Sequence, residues 1–178
     1  MFHCNGWCFP WTLAAVAGTS VCLRHVREDA IFTAFRDEAV THFCGAPVVL
    51  NTLINAPDGL KEGVPAGIRV MTAGAAPPAA VIQGMEALGF EVTQVYGLTE
   101  TYGPMVVSAW KSEWDSESDE ERARLKARQG IAAVLAEDMM VADPETLEPV
   151  PADGETQGEV FMRGNIVMKG YLKNPTAS

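Results

Sequence analysis

Short apolar runs and helical stretches alternate along the middle of the chain, and this alternation limits the fold more than any other feature. Residues 41–44 are β-prone, 48–56 have a helical pattern, and 68–72 form a second apolar run. A second helical stretch at 79–88 follows, and then a third run at 90–96 that leads into Gly97. Pro57 and Gly59 stop the first helical stretch, and Gly89 stops the second. In the second stretch Val81, Ile82, Met85 and Leu88 share one face at helical spacing. A β-α-β-α-β order needs crossovers that return each strand parallel to the last. The expectation is therefore an α/β fold, a parallel β-sheet with flanking helices. Upstream, 19–23 reads as another short strand, and 29–40 as a helix with Ile31, Phe32, Phe35 and Ala39 on its inner face.

From Asp138 the pattern changes. Short strands at 139–143, 150–151 and 159–163 are separated by Asp143-Pro144 and Asp153-Gly154 turns. They predict a small antiparallel β appendage. The division is then 1–137 as part of an α/β subdomain and 138–178 as the start of a β subdomain. Between the two regions, 111–128 is acidic at its start and basic at its end, from Glu113, Asp115 and Glu117 to Arg124, Lys126 and Arg128. That order suits a helix dipole and reads as a solvated surface helix.

Charge and cysteine usage narrow the partners. Thirteen basic residues against 23 acidic ones give a net charge of −10, which argues against a nucleic-acid or anionic-membrane partner. Nucleotide binding stays open, because one bound Mg²⁺ offsets such a charge locally. Four cysteines, Cys4, Cys8, Cys22 and Cys44, are too few for a disulfide scaffold and sit among apolar neighbours. They read as free buried thiols in a reducing, intracellular compartment. Residues 1–23 carry no Lys, Arg, Asp or Glu. Asn5, Gly6, Pro10, Thr12 and Gly18 interrupt that run, and the first basic residue is Arg24, so it reads as a buried core segment rather than a membrane span or signal peptide.

Two loops could carry chemistry. Ligands of parallel α/β sheets sit at the carboxyl ends of the strands. The third run ends in Gln94, Val95, Tyr96, Gly97, Leu98, Thr99 and Glu100. A flat aromatic there can stack on a purine, a glycine admits close approach, a hydroxyl can bond a phosphate oxygen, and a carboxylate can hold Mg²⁺. The preceding run ends in Ala73, Gly74, Ala75, Ala76, Pro77 and Pro78, whose small side chains leave the backbone bare. Taken alone, each loop is equally compatible with an ordinary strand-to-helix turn.

Four strings occur in one order: Met1-Phe2-His3-Cys4-Asn5-Gly6-Trp7, the small-residue loop, Tyr96-Gly97-Leu98-Thr99-Glu100, and the stretch from Gly158 through Arg163 and Gly170-Tyr171-Leu172-Lys173-Asn174-Pro175. Together they resemble the adenylate-forming, AMP-binding superfamily of acyl-CoA synthetases, peptide-synthetase adenylation domains and luciferases. Glu113-Trp114-Asp115 and Ala127-Arg128-Gln129-Gly130 are similar to the short- and medium-chain acyl-CoA ligases, plant peroxisomal acyl-activating enzymes among them. The resemblance implies an acid–thiol ligase that uses ATP, Mg²⁺ and coenzyme A on a small-molecule carboxylic acid, forming an acyl-adenylate and then a thioester. It implies that Gly74, Ala75, Ala76, Gln94 and Gly97 line the nucleotide and that Tyr96 stacks on adenine. Thr99 would contact the α-phosphate and Glu100 the magnesium. His3 and Trp7 would lie near the acyl and pantetheine channels, and Val95 would shorten the acyl pocket. It also implies a cytoplasmic or peroxisomal setting.

By the same resemblance a Gly/Ser/Thr-rich phosphate loop is expected before Met1, a Thr-Gly-Asp after Ser178, and a catalytic lysine in a further domain. The chain then reads as the central part of the N-terminal domain, inactive as a ligase by itself. Two other readings remain at this stage: a non-catalytic, nucleotide-binding remnant, and a zinc module using Cys4, Cys8, Cys22 and His25.

Overall fold

The computed structural model describes residues 3–178. Two short helices come first, α1 (His3–Trp7) and α2 (Phe9–Ala15), with Pro10 in the first turn of the second. Helix α3 (Glu28–Asp37) buries Ile31, Phe32 and Phe35, as the spacing predicts, and it ends before Ala39, which is exposed with φ 49°. Strand β1 (His42–Gly45) follows, then α4 (Pro47–Ile54), which opens on a proline suited to a helix start. Past Asn55 the chain makes one further turn, α5 (Asp58–Lys61), so Pro57 separates two helices instead of ending all helical structure. Strand β2 (Arg69–Thr72), helix α6 (Ala79–Ala87) and strand β3 (Glu91–Leu98) complete the expected rhythm.

The sheet has five strands in the order β1-β2-β3-β4-β5. β1, β2 and β3 are parallel, as expected. β4 (Gly103–Val107) and β5 (Ile131–Ala132) add an antiparallel edge that the sequence reading did not include. β4 follows β3 after only a few residues, too few for a crossover, so it must return antiparallel. Residues 19–23 form no strand. They do not add to the open edge of β1, and Val21 and Leu23 stay exposed.

Phe43, Val70 and Val92 are in register on neighbouring strands and point to one face. They pack in one cluster with Phe32, Phe35, Leu50, Leu53, Ile82 and Met85 from α3, α4 and α6. The rings of Phe35, Phe43 and Phe90 lie 5.0–5.9 Å apart in tilted and edge contacts. By contrast, none of the described residues of the uncharged run 3–23 is buried, and Trp7 and Trp11 are 46% and 57% exposed. This corrects the expectation of a core segment, because the core closes over α3, α4 and α6 and leaves α1 and α2 outside.

Helix α7 (Asp119–Lys126) is capped by Ser118, whose Oγ accepts from Glu121 N–H at 3.3 Å. It is less solvated than expected. Ala123 and Leu125 are buried, Lys126 forms an ion pair with Glu86 of α6, and Lys126 Nζ sits 4.7 Å from the Trp110 ring centre. The carbonyls of its last turn meet two buried polar side chains. Ser108 Oγ donates to Lys126 O at 3.1 Å. Three carbonyls face one end of the Gln94 carboxamide, so its nitrogen belongs there and donates to Ala127 O at 2.9 Å and Arg128 O at 3.1 Å. Its oxygen then accepts from the Gln129 carboxamide at 3.0 Å.

The appendage is a two-stranded antiparallel sheet, β6 (Asp138–Ala142) with β7 (Glu159–Arg163). Residues 150–151 are not a strand; a single bridge joins Pro149 to Ala142. Met105, at the centre of β4, is fully buried, and its carbonyl accepts from Ala133 N–H at 2.8 Å.

Two substitutions test this packing. Gly97 faces β4 so closely that a Cβ on it would lie 2.0 Å from Gly103 O. Gly97→Ala must move one strand and is expected to cost about 3 kcal/mol or more by urea unfolding. Gln94→Leu leaves the last-turn carbonyls of α7 without a donor in a buried setting and is expected to cost about 1–3 kcal/mol. An unchanged urea midpoint in either variant contradicts the corresponding contact.

Candidate functional site

The carboxyl ends of β2 and β3 lie side by side, with Thr72 paired to Gln94. Beyond Thr72 the chain leaves the sheet as the small-residue loop. Gly74 has φ 90°, a left-handed value that favours glycine, and no atom lies within 4 Å of where its Cβ would be. Gly74, Ala75 and Ala76 are all exposed. The expected bare wall is therefore present and open.

Beside it, β3 continues through Tyr96, which is half-buried, with a register shift between Tyr96 and Gly97. Such a bulge re-aims the side chains that follow. Gly97 gives its missing Cβ to β4, so this glycine serves strand packing, whereas the sequence suggested approach of a ligand. A 3₁₀ turn, Thr99–Thr101, then presents Thr99 exposed and Glu100 half-buried. Thr101 fixes the turn from below. It is 3% exposed, and its Oγ1 accepts from Leu98 N–H at 3.0 Å and lies 2.9 Å from Gly103 O. Tyr102 closes the turn at φ 59°, an uncommon value for a residue with a Cβ.

Other segments converge on this turn. The Trp7 ring meets the Tyr102 ring edge-on at 5.4 Å, and Cys8 Sγ donates to Tyr102 O at 2.7 Å. Thus the string that holds His3 and Trp7 reaches the Tyr96–Glu100 loop through Tyr102. His3 opens α1 with φ 50°; Met1 and Phe2 of that string lie outside the described residues. From the other side, Met168 N–H donates to Glu100 O at 2.7 Å, and the Tyr171 hydroxyl donates to Glu100 Oε1. This hydrogen bond, with one from its own backbone N–H, holds the Glu100 carboxyl below the usual carboxylate range.

Two candidates are buried beneath the loops. Gln94 is 1% exposed, and its carboxamide is engaged by α7 and Gln129. Val95 is 3% exposed within the sheet. Tyr102, Thr101 and Tyr171 were not singled out from the sequence. Tyr171 had a signal, since it lies in a quoted string, but nothing there pointed to Glu100. Two cavities among the described residues, one lined by Thr41 and Ile68 and one by Phe90 and Arg122, open at the amino ends of the strands, and no residue of this site lines either.

The zinc reading does not survive. Among the described residues no three His, Cys, Asp or Glu side chains could hold one ion. All four cysteines are free, Cys22 is exposed on a loop, and burial with help from Cys4 pushes the Cys8 thiol up to about 11. Three of the four are only partly buried, which also corrects the expectation of buried thiols. Among the described residues no helix is long and apolar enough to cross a membrane.

The Glu100 carboxylate keeps capacity for a magnesium ion. A carboxylate accepts about four hydrogen bonds or metal contacts, so the donors present leave sites over. Mg²⁺ commonly takes one or two carboxylates, keeps waters and binds substrate phosphates. A single carboxylate beside the Thr99 hydroxyl fits an ion that arrives with phosphates.

Comparison with known proteins identifies the family and the fold. The chain is 54% identical over 181 residues to an acetate–CoA ligase of Humulus lupulus, covering all of this chain and 32% of that protein. It is 55% identical over 182 residues to a peroxisomal acetate/butyrate–CoA ligase of Arabidopsis thaliana, again covering all of this chain and 32% of that protein. The chain thus spans about a third of the length of these curated relatives. In fold it matches an O-succinylbenzoate coenzyme A synthetase of Bacillus subtilis, solved in complex with ATP and magnesium ion, with TM-score 0.74 and 18% identity over 98% of this chain and 33% of that one. The family described as AMP-binding enzyme matches residues 1–172, and with its strand-end loops in place the chain belongs to that family.

Proposed function

We propose that the protein carrying this chain is an ATP-dependent carboxylic acid–CoA ligase. Its substrates are a small-molecule carboxylic acid, ATP and coenzyme A. The observation that carries the reading is the juxtaposition, in parallel register, of the bare Gly74–Ala76 backbone and the Tyr96–Glu100 loop. A planar base fits between an open backbone wall and an aromatic face. Relatives named as acetate and butyrate ligases support a short acyl chain, and the peroxisomal relative supports a peroxisomal setting over a cytoplasmic one.

Each residue has a role in this reading. Gly74, Ala75 and Ala76 line the adenine, Tyr96 stacks on it, and Gly97 and Gln94 hold the loop in place from beneath. The Thr99 hydroxyl donates to the α-phosphate. Glu100 holds the magnesium, which supplies charge neutralisation between the carboxylate nucleophile and the phosphate it attacks. No covalent catalyst is needed for that attack, because in-line positioning and electrostatic stabilisation carry such steps. His3 and Trp7, joined to the loop through Tyr102, flank the acyl and pantetheine passage. Val95 forms the floor of the acyl pocket and limits its length.

Two measurements test this. A non-hydrolysable acyl-adenylate analogue, titrated calorimetrically into the chain, is expected to bind saturably. Tyr96→Ala should weaken it by roughly 5- to 150-fold, the range of about 1–3 kcal/mol for base–aromatic stacking. Equal affinity in the variant removes the adenine assignment. For the pocket, analogues of increasing acyl length should shift their preference toward longer chains in Val95→Gly. A preference that does not move removes Val95 from the pocket floor.

A further inference from the structure

Glu100 is gripped twice by a segment far away in sequence. Met168 N–H bonds its backbone carbonyl at 2.7 Å, and the Tyr171 hydroxyl bonds its carboxylate. That segment is itself anchored. Tyr171 N–H donates to Ser178 Oγ at 2.8 Å, Asn174 N–H donates to Tyr171 O at 3.2 Å, and the two residues form a bridge. Its start is pressed against the sheet at Gly164, where a Cβ would lie 2.9 Å from Leu135 O and 3.5 Å from Met105 Cε. So 164–171 runs as a strap from buried β4 to the acidic side chain of the 3₁₀ turn.

A backbone grip alone would fix the turn. A second grip on the carboxylate fixes something else, the direction of the charged group. Left to itself, a half-exposed glutamate samples several rotamers, and each rotamer lost on binding costs affinity. A phenol donor holds one oxygen without adding charge and leaves other lone pairs to face a cation.

We infer that Tyr171 is a positioning residue: its hydroxyl orients the Glu100 carboxylate for a divalent cation delivered with the nucleotide, so that the small β subdomain completes the site of the α/β subdomain. The inference rests on the proposed nucleotide-and-metal reading of the Tyr96–Glu100 loop. It assigns Tyr171 an effect on the metal-dependent part of nucleotide binding and none on the part that does not need metal.

The test is calorimetric titration of ATP into the chain with Mg²⁺ and with EDTA, for the parent sequence, Tyr171→Phe, Glu100→Gln and the double variant. The parent should bind more tightly with Mg²⁺. Tyr171→Phe should lose roughly 5- to 10-fold of that gain with unchanged affinity in EDTA. Glu100→Gln should lose the gain altogether, and the double variant should match Glu100→Gln. A Tyr171→Phe chain that keeps the full gain, exceeds it, or weakens equally in EDTA overturns the inference. Amide hydrogen exchange over 97–103 separates the two readings. If the parent chain binds no ATP, yet exchange in that turn accelerates severalfold in Tyr171→Phe, the grip on Glu100 stands and the nucleotide reading fails. If exchange is unchanged as well, both fall.

Discussion

The parallel pairing of β2 with β3 is the constraint on which the rest depends. It sets Thr72 against Gln94 and so places the exits of both strands about one strand spacing apart, near 4.8 Å. Side chains on a strand alternate faces, so a slip of one residue would send Gln94 to the face now occupied by Val95. The carboxamide would then lose the carbonyls of α7, and a valine would meet them. Register is thus held at two levels. The apolar row of Phe43, Val70 and Val92 holds it against the helices, and the polar contact of Gln94 with Ala127 and Arg128 holds it at the end nearest the loops.

The antiparallel edge turns this frame into a site. Because β4 returns within a few residues, the Tyr96–Glu100 loop is short and tightly closed. Three devices close it: the absent Cβ of Gly97 against Gly103, the buried hydroxyl of Thr101, and the left-handed Tyr102. Each restricts the backbone and leaves the side chains of Thr99 and Glu100 outside. A loop fixed in this way loses little entropy on binding, and that is where rigid scaffolds gain affinity. Tyr102 then links the turn to Trp7 and Cys8, and Tyr171 links it to the segment that follows β7, so three separate strings of the sequence meet at one place.

Much of this was legible in the sequence, for identifiable reasons. The strands at 41–44, 68–72 and 90–96 and the helices between them were found because their faces are periodic and their ends carry Pro or Gly. The loops were found because parallel sheets bind at strand ends. What escaped was decided by tertiary contacts. Val106 and Val107 give β4 a β-prone look, but the sequence could not say that the chain turns back at Tyr102. The burial of Ala123 depends on α6, and the role of Gln94 depends on a helix end more than 30 residues away. Residues 3–23 look like core by composition, yet they are exposed because α3, α4 and α6 already supply the side chains that cover the sheet. The string around Tyr171 was visible as a string, and its contact with Glu100 was not.

Electrostatics shape what this site can recognise. Neither the loop 73–78 nor the loop 96–103 contains Lys or Arg, and the chain as a whole carries a net charge of −10. A triphosphate approaching these strand ends meets a hydroxyl, backbone N–H groups and one carboxylate, in a field that repels anions. In the proposed reading, such a surface selects the base and the metal before it selects the phosphates. On that reading an adenylate with one phosphate suits it better than a free triphosphate, and a triphosphate would need its cation in order to approach Glu100. In sequence, Lys169 and Lys173 flank Tyr171 on either side. The segment that grips the Glu100 carboxylate through Tyr171 is thus one that carries basic residues in a chain that is otherwise acidic.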